Sequence, residues 1–140
     1  AARSGLKGLD PAPSPAPCRA MRILDTDIND KGSRYAVAGG PVTGRAGVQD
    51  FLRLLKREKR FARASHNSWA VILTDGGAPL PLKGDDGEAG AGNIILRMLD
   101  SAGLHDHLIV VTRWYGGKPL GGDRFRHVQE AARLYLTTLS

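Results

Sequence analysis

A glycine-rich stretch from Val111 to Phe125 holds many of the residues that could do chemistry. It reads VTRWYGGKPLGGDRF and places cations and two aromatic rings around two Gly-Gly pairs. Cations next to a helix start attract anions, because the first N–H groups of a helix have no partner within it. Aromatic rings at such a place stack on bases or anchor a protein partner. The candidate binding residues are Arg113, Trp114, Tyr115, Lys118, Arg124 and Arg126, and the candidate loop residues are Gly116, Gly117, Gly121, Gly122 and Asp123.

The same stretch also fits a purely structural role. Paired glycines let a chain turn sharply at the end of a strand, and Asp123 suits the N-cap of a helix. Alternation along a strand points Trp114 and Tyr115 to opposite sides, so one of the two is expected in the core. The residues alone leave both roles open.

A second glycine-rich stretch, DDGEAGAG, carries three carboxylates ahead of a predicted helix. Negative charge at that position stabilises the helix by itself. A hard divalent cation also prefers clustered carboxylates, but the spacing is not that of an EF-hand. The glycines do not form a dinucleotide fingerprint, and GGKP lacks the Ser or Thr of a P-loop. We therefore expect no metal and no cofactor here, with Asp85, Asp86, Gly87 and Glu88 as structural loop residues.

Catalytic groups are sparse in the rest of the sequence. Cys18, the single cysteine, lies in a Pro-rich stretch and has no partner for an internal disulfide. Ser65 and His66 are neighbours on a predicted strand, so their side chains point to opposite faces. His105 and His107 share one side of an extended segment but lack an evident third metal ligand. The sequence therefore predicts a protein without catalytic residues.

Positive charge is concentrated in residues 45–63, which hold seven basic residues against Asp50 and Glu58, within a chain of net charge +6. Such a field favours acidic partners, namely RNA, acidic proteins or anionic lipid. A solubilising helix face explains the same pattern equally simply. The candidate binding residues in this segment are Lys56, Arg57, Lys59 and Arg60.

Hydrophobic periodicity supplies the elements that must position these residues. Val48, Phe51, Leu52 and Leu55 form the apolar stripe of a helix. The prolines of APLPL place that segment at a sheet edge. The complete pattern reads β-α-β-(β)-α-β-α, which predicts an α/β two-layer sandwich in which helices cover one face of a small mixed sheet. The predicted strands cover Ser33–Gly39, Ser65–Thr74 and His107–Trp114, with helices over Val48–Leu55, Ile94–Ala102 and from Asp123 onward.

The chain of 140 residues fits one domain. Alternating prolines in residues 1–24 predict a tail or linker, and residues 25–140 the domain. Four basic residues in that tail leave a trimmed transit peptide as an alternative. We find no apolar run of membrane-spanning length and no secretory signal. The lone cysteine fits a reducing compartment, so we expect a cytoplasmic protein that does not bind membranes.

Three stretches resemble the IMPACT family in their order and spacing, in the form of its eukaryotic branch. They are ASHNSWAV, DDGEAGAG and VVTRWYGGKPLGGDRFRHVQEAAR, and the resemblance runs from about Lys31 to the C-terminus. It implies a fold like domain 2 of ribosomal protein S5, without known catalysis. In eukaryotic relatives it implies competition for the ribosome-associated activator of the general-control kinase, which restrains phosphorylation of a translation initiation factor. Actin monomers are a further partner in that branch, and bacterial relatives are suspected of binding nucleic acid.

The resemblance thus predicts a non-catalytic binding domain in translational control with a protein partner. An RNA- or ribosome-binding domain is the alternative, and an enzyme of unknown activity the second alternative. Relatives usually carry a further RWD domain or ferredoxin-like domain, which leaves the chain either a fragment or a lone IMPACT domain. Asn93 and Ile94 replace a small residue and an arginine of the family pattern, which removes one cation from the loop.

Overall fold

The structure, a computed structural model, describes residues 21–139. The predicted tail, including Cys18, lies outside the described residues up to residue 20, and so does Ser140. The first strand begins at Arg22, ahead of the predicted domain boundary at residue 25. Among the helices of residues 21–139, none is long and apolar enough to cross a bilayer.

Five strands and four helices make up the described part of the chain. The strands are β1 (Arg22–Asp30), β2 (Ser33–Pro41), β3 (His66–Asp75), β4 (Ala78–Gly84) and β5 (His107–Trp114). The helices are α1 (Gly44–Leu55), α2 (Lys59–Ala62), α3 (Ala91–Ala102) and α4 (Asp123–Thr137).

The strands form one sheet in the order β1-β2-β5-β3-β4, and every neighbouring pair is antiparallel. Lys31 and Gly32 turn the chain between β1 and β2, and both have positive φ, as a tight hairpin turn requires. The strands β2 and β3 run in the same direction, but β5 lies between them and runs against both. The α/β class is therefore confirmed, while the predicted mixed sheet is wrong, because no two parallel strands are neighbours.

The sheet carries a hydrophobic core on each face, since both faces of its inner strands are apolar. On β2, Tyr35 and Val37 belong to one core, and Ala36 and Ala38 to the other. The helices α3 and α4 cover the Tyr35 side with residues such as Ile95, Leu99, Val128 and Ala132. Residues Val48, Phe51 and Leu55 of α1 and Phe61 of α2 cover the opposite side. The prediction that all helices lie on one face is therefore wrong, because a sheet apolar on both faces must be covered on both.

The sheet and α4 approach each other closely at Gly39. A Cβ atom added to this residue would fall on the ring of Tyr135 in α4. That ring is buried, and its hydroxyl is bonded to Nε2 of His107 at 2.6 Å. Burial raises the pKa of Tyr135 to about 12 and lowers the pKa of His107. The missing side chain at Gly39 is thus what lets α4 pack on β2.

A buried ion pair joins the end of β5 to the loop before α3. Nη1 of Arg113 donates to Oε1 and Oε2 of Glu88 at 2.9 and 2.8 Å, and both side chains are almost completely buried. Asp85 in the same loop accepts hydrogen bonds from the backbone N–H groups of Gly90 and Gly92, at the start of α3. The loop that begins α3 is therefore fixed to the sheet by charge as well as by packing.

We expect Gly39→Ala to lower the free energy of unfolding by about 1–3 kcal/mol, because the new methyl group displaces the buried Tyr135 ring. Gly47→Ala is the matched control in α1, where an added Cβ atom finds only ordinary contacts with Val42. This control should gain about 0.5–1 kcal/mol from helix propensity. Urea denaturation measures both, and equal effects of the two substitutions would contradict the close approach.

Removing one member of the buried ion pair should be much more costly than replacing both. We expect Glu88→Ala to lower the free energy of unfolding by about 3–5 kcal/mol, because Arg113 is left charged in the interior. The double variant Glu88→Leu/Arg113→Met should recover most of this loss. Urea denaturation again provides the measurement. A cost below about 1 kcal/mol for Glu88→Ala, as for an exposed pair, would show that the pair is not buried in solution.

Candidate partner interface

Three exposed cations at the end of α1 and the first residue of α2 have no ion pair among residues 21–139. They are Lys56, Arg57 and Lys59. Their exposure follows from the helix, because α1 ends by burying Leu55 and the chain then turns outward. We call these three residues the cationic segment.

Arg60, the fourth predicted cation of this region, is held against the sheet. Its Nη1 atom lies 2.7 Å from Oδ1 of Asp25 on β1, in an exposed pair that contributes little stability. Its guanidinium carbon lies 4.6 Å from the ring centroid of Phe61 and 5.7 Å from that of Trp114. Arg60 therefore connects the cationic segment to the end of β5.

Trp114 and Tyr115 divide as the strand alternation predicts. Trp114 is partly buried, packs against the core on the α1 side, and donates from Nε1 to the backbone oxygen of Arg60 at 2.8 Å. Tyr115 is 51% exposed, and its backbone N–H donates to Oγ of Ser65. Trp114 thus stabilises the fold on the α1 side, while the ring of Tyr115 is exposed to solvent.

An open groove of about 570 Å³ lies beside Arg60 and Trp114. Its other wall is the irregular part of β1, where the pairing with β2 shifts register between Asp25 and Asn29. The groove is lined by carboxylates and guanidinium groups together with two aromatic residues. Its lining residues are Asp25, Thr26, Asp27, Ile28, Asn29, Arg34, Tyr35, Arg60 and Trp114.

This groove was not expected from the sequence, because its β1 wall was not predicted. The sequence does contain a pattern typical of a strand here. Apolar or small residues alternate with polar ones from Leu24 to Asn29, and the Lys31–Gly32 turn follows. The alternation is weak because Thr26 takes one of the inward positions. Its hydroxyl donates to the backbone oxygen of Tyr35 at 2.7 Å.

Arg113 does not belong to an exposed surface, contrary to the sequence-based expectation. It is 6% exposed, and Glu88 holds its guanidinium group. Its guanidinium carbon lies 6.0 Å from the ring centroid of Tyr35 and 5.6 Å from that of Tyr115. An arginine at this point of β5 faces the α3 side of the sheet, next to the loop carboxylate, and is therefore drawn inward.

The glycine loop after β5 is shaped by a backbone contact. A Cβ atom on Gly116 would collide with the backbone of Gly32 and Ser33 in the β1–β2 turn. The Gly116 N–H donates to Oγ of Ser33 at 3.0 Å. Gly117 and Gly121 both have positive φ, whereas Gly122 has an ordinary helical value as the N-cap of α4. Gly116 is thus required by the close approach of this loop to the β1–β2 turn. Lys118 is exposed in the same loop.

The cations of α4 lie apart from the cationic segment. Arg126 is exposed and lies 3.7 Å from the carboxylate of Asp123. Arg124 stacks over the ring of Phe125 at 4.5 Å. The helix α4 packs on the Tyr35 side of the sheet, whereas α1 and α2 pack on the other. The candidate binding cations of α4 and those of the cationic segment therefore belong to opposite sides of the sheet.

The three carboxylates of the DDGEAGAG loop are engaged in contacts within the fold. Asp85 caps the start of α3, Glu88 pairs with Arg113, and Oδ2 of Asp86 accepts from the backbone N–H of Asn67 at 2.7 Å. Gly87 has positive φ and lies against the His66 ring. These contacts account for the loop residues as structural elements.

Comparison with known proteins places this geometry in a family. The family model described as the Impact N-terminal domain matches residues 31–136. Protein IMPACT of Bos taurus is 36% identical over 108 residues, which are 76% of this chain and 34% of that protein. The IMPACT homolog of Saccharomyces cerevisiae is 32% identical over 108 residues, again 76% of this chain and 42% of that protein. The chain therefore spans less than half of these relatives.

Two solved structures are similar to the fold. The crystal structure of a hypothetical protein superposes with a TM-score of 0.68 at 23% identity, and the match covers 84% of this chain and 61% of that one. The two-domain translational regulator Yih1 superposes with a TM-score of 0.52 at 30% identity, over 79% of this chain and 44% of Yih1. From the match to its domain model and from these relatives, the chain belongs to the IMPACT family, through the Impact N-terminal domain.

Proposed function

We propose that this domain is a non-catalytic binding module that acts in translational control by contacting a protein partner. The support is family membership together with the description of Yih1 as a two-domain translational regulator. The chain matches less than half of Yih1, so the partner and the pathway are part of the proposal. The absence of catalysis is also proposed, on the ground that the loop carboxylates are engaged in contacts within the fold.

The single observation that carries this proposal is the cationic segment. Its three charges are exposed and have no ion pair among the described residues, and the next residue in the chain, Arg60, lines the groove at Trp114. Exposed charges of one sign steer an acidic partner toward the surface and speed its association. A partly buried aromatic ring beside them offers the kind of anchor that interfaces favour.

The family resemblance points to the ribosome-associated activator of the general-control kinase as this partner. Binding would keep the activator from the kinase and so restrain phosphorylation of the translation initiation factor in the cytoplasm. Actin monomers are a second protein partner that the same resemblance suggests. Binding of each partner to the domain can be measured in the same way.

Charge reversal of the cationic segment tests this proposal. We expect the triple variant Lys56→Glu/Arg57→Glu/Lys59→Glu to bind a purified fragment of the activator about tenfold more weakly or worse, through a slower association rate. Arg60 is left intact, because it pairs with Asp25 and packs on Trp114. Surface plasmon resonance at two salt concentrations gives both rates.

A matched control reverses three exposed cations on the other side of the sheet, in the triple variant Lys83→Glu/Arg97→Glu/Arg133→Glu. Both triple variants have the same net charge, so a difference between them reports position rather than total charge. The control should retain the affinity of the unmodified domain at high salt. Equal losses in both variants, or no loss in either, would reject the cationic segment as the binding surface.

RNA binding is the second candidate function, and the exposed ring of Tyr115 is the observation that favours it. This ring is 51% exposed beside Lys118, which is also exposed. Stacking on an exposed aromatic ring is tolerant of base sequence, and phosphate contacts make affinity fall steeply with salt.

If the domain binds RNA, Tyr115→Ala should weaken binding to a single-stranded oligonucleotide by about 1–3 kcal/mol, the usual value of one base stack. Tyr115→Phe retains the ring and should bind like the unmodified domain. Fluorescence anisotropy across a salt series measures both affinity and salt dependence. Absence of binding at low salt would remove this candidate and leave the protein partner.

A further inference from the structure

Three buried polar atoms of the described residues have no hydrogen-bond partner. They are the hydroxyl of Tyr35, Nε of Arg113 and Nε of Arg124. Buried polar side chains are almost always hydrogen-bonded, so an unpartnered one points to a missing ligand, ion or water. Tyr35 and Arg113 lie on neighbouring strands of the sheet, and Arg124 lies at the start of α4.

Register and ring contacts relate the residues that carry these atoms. Tyr35 and Arg113 are cross-strand partners on β2 and β5, and the guanidinium carbon lies 6.0 Å from the tyrosine ring centroid. The same tyrosine ring lies 5.3 Å from the ring of His127 on α4. Arg124 stands one turn before His127 on this helix, near the helix start.

The electrostatic effects on the pKa of Tyr35 are consistent with Arg113 and Arg124 lying near its hydroxyl. Burial raises the pKa of Tyr35 to about 12, while the positive charges of Arg113 and Arg124 act to lower it. Both guanidinium groups are therefore close enough to act on the tyrosine hydroxyl. The carboxylates of Glu88 and Asp30 act in the opposite direction.

The charges around this corner leave one cation uncompensated. Glu88 neutralises Arg113, and His127 lies between the carboxylates of Asp30 and Glu130. Arg124 forms no ion pair among residues 21–139. The N-terminal end of α4 adds partial positive charge at the same place. The site therefore favours a negatively charged occupant over a neutral one.

The hydrogen-bonding capacity of the three atoms indicates which kind of ligand they can bind. An arginine Nε–H only donates, and a tyrosine hydroxyl can donate as well. A water molecule can accept from both Nε–H groups and donate to the tyrosine hydroxyl, but it brings no charge to offset that of Arg124. An oxyanion with several oxygen atoms can accept from all three.

We propose that Tyr35, Arg113 and Arg124 bind an oxyanion of the phosphate class at the start of α4. The site lies on the Tyr35 side of the sheet and not at the cationic segment, so it goes beyond the proposed function and does not depend on it. Entry passes the glycine loop, whose residues Gly116–Pro119 and Gly121–Asp123 are exposed. An added Cβ atom on Gly117, Gly121 or Gly122 would have no other atom within 4 Å, so this part of the loop borders solvent. The phosphate is either free or the phosphate group of a nucleotide.

Nuclear magnetic resonance of the arginine Nε–Hε groups tests this site in the full chain. Added inorganic phosphate should shift the Arg113 and Arg124 signals saturably, whereas chloride at equal ionic strength should not. Tyr35→Phe and Arg124→Gln should each weaken this binding about tenfold, the usual loss for one hydrogen bond to a charged group. Both substitutions are conservative in shape, and Arg113 is left intact to preserve its pair with Glu88.

Arg97→Gln is the matched control, because it removes an exposed cation of α3 and should leave phosphate binding unchanged. A 5′-nucleoside monophosphate provides the second arm of the test. Tighter binding than inorganic phosphate assigns the phosphate to a nucleotide, and equal or weaker binding assigns it to free phosphate. Absence of a saturable shift, or equal weakening by Arg97→Gln and Arg124→Gln, would overturn the proposal and leave water as the occupant.

Discussion

The buried ion pair between Arg113 and Glu88 is the constraint on which this end of the fold depends. A buried charge without its partner is strongly destabilising, so β5 and the loop before α3 must stay together. This loop starts α3 through the carboxylate of Asp85. The same arginine lies close to Tyr35, and the chain beyond it must turn at Gly116 against the β1–β2 hairpin. One electrostatic contact thus determines how two glycine-rich loops approach the same sheet.

The sheet separates positively charged side chains into groups on its two sides. Lys56, Arg57 and Lys59 project from the α1 side, while Arg124 and Arg126 belong to α4 on the other side. The first group combines exposure with the absence of ion pairs among the described residues, and Arg60 next to it lines an aromatic groove. A basic composition therefore does not define one surface here.

Sequence reasoning located most of the elements but not their arrangement. The apolar stripe from Val48 to Leu55 predicted α1 correctly, since helix periodicity is a local property. The face on which α1 packs depends on the order of the strands, which no local pattern encodes. The strand β1 was missed because Thr26 weakens its alternation. The burial of Arg113 could not be predicted from the sequence either, because its partner Glu88 is remote in sequence and is brought close only by the fold.

Hydrogen exchange of the Arg113 guanidinium group tests the central claim most directly. The Nη–Hη protons of this residue can be followed by nuclear magnetic resonance beside those of the exposed Arg57. The buried pair with Glu88 predicts that the Arg113 protons exchange much more slowly, and that high salt leaves them protected because buried pairs are little screened. Exchange as fast as that of Arg57 would show an exposed arginine and would contradict the account given for both glycine-rich loops.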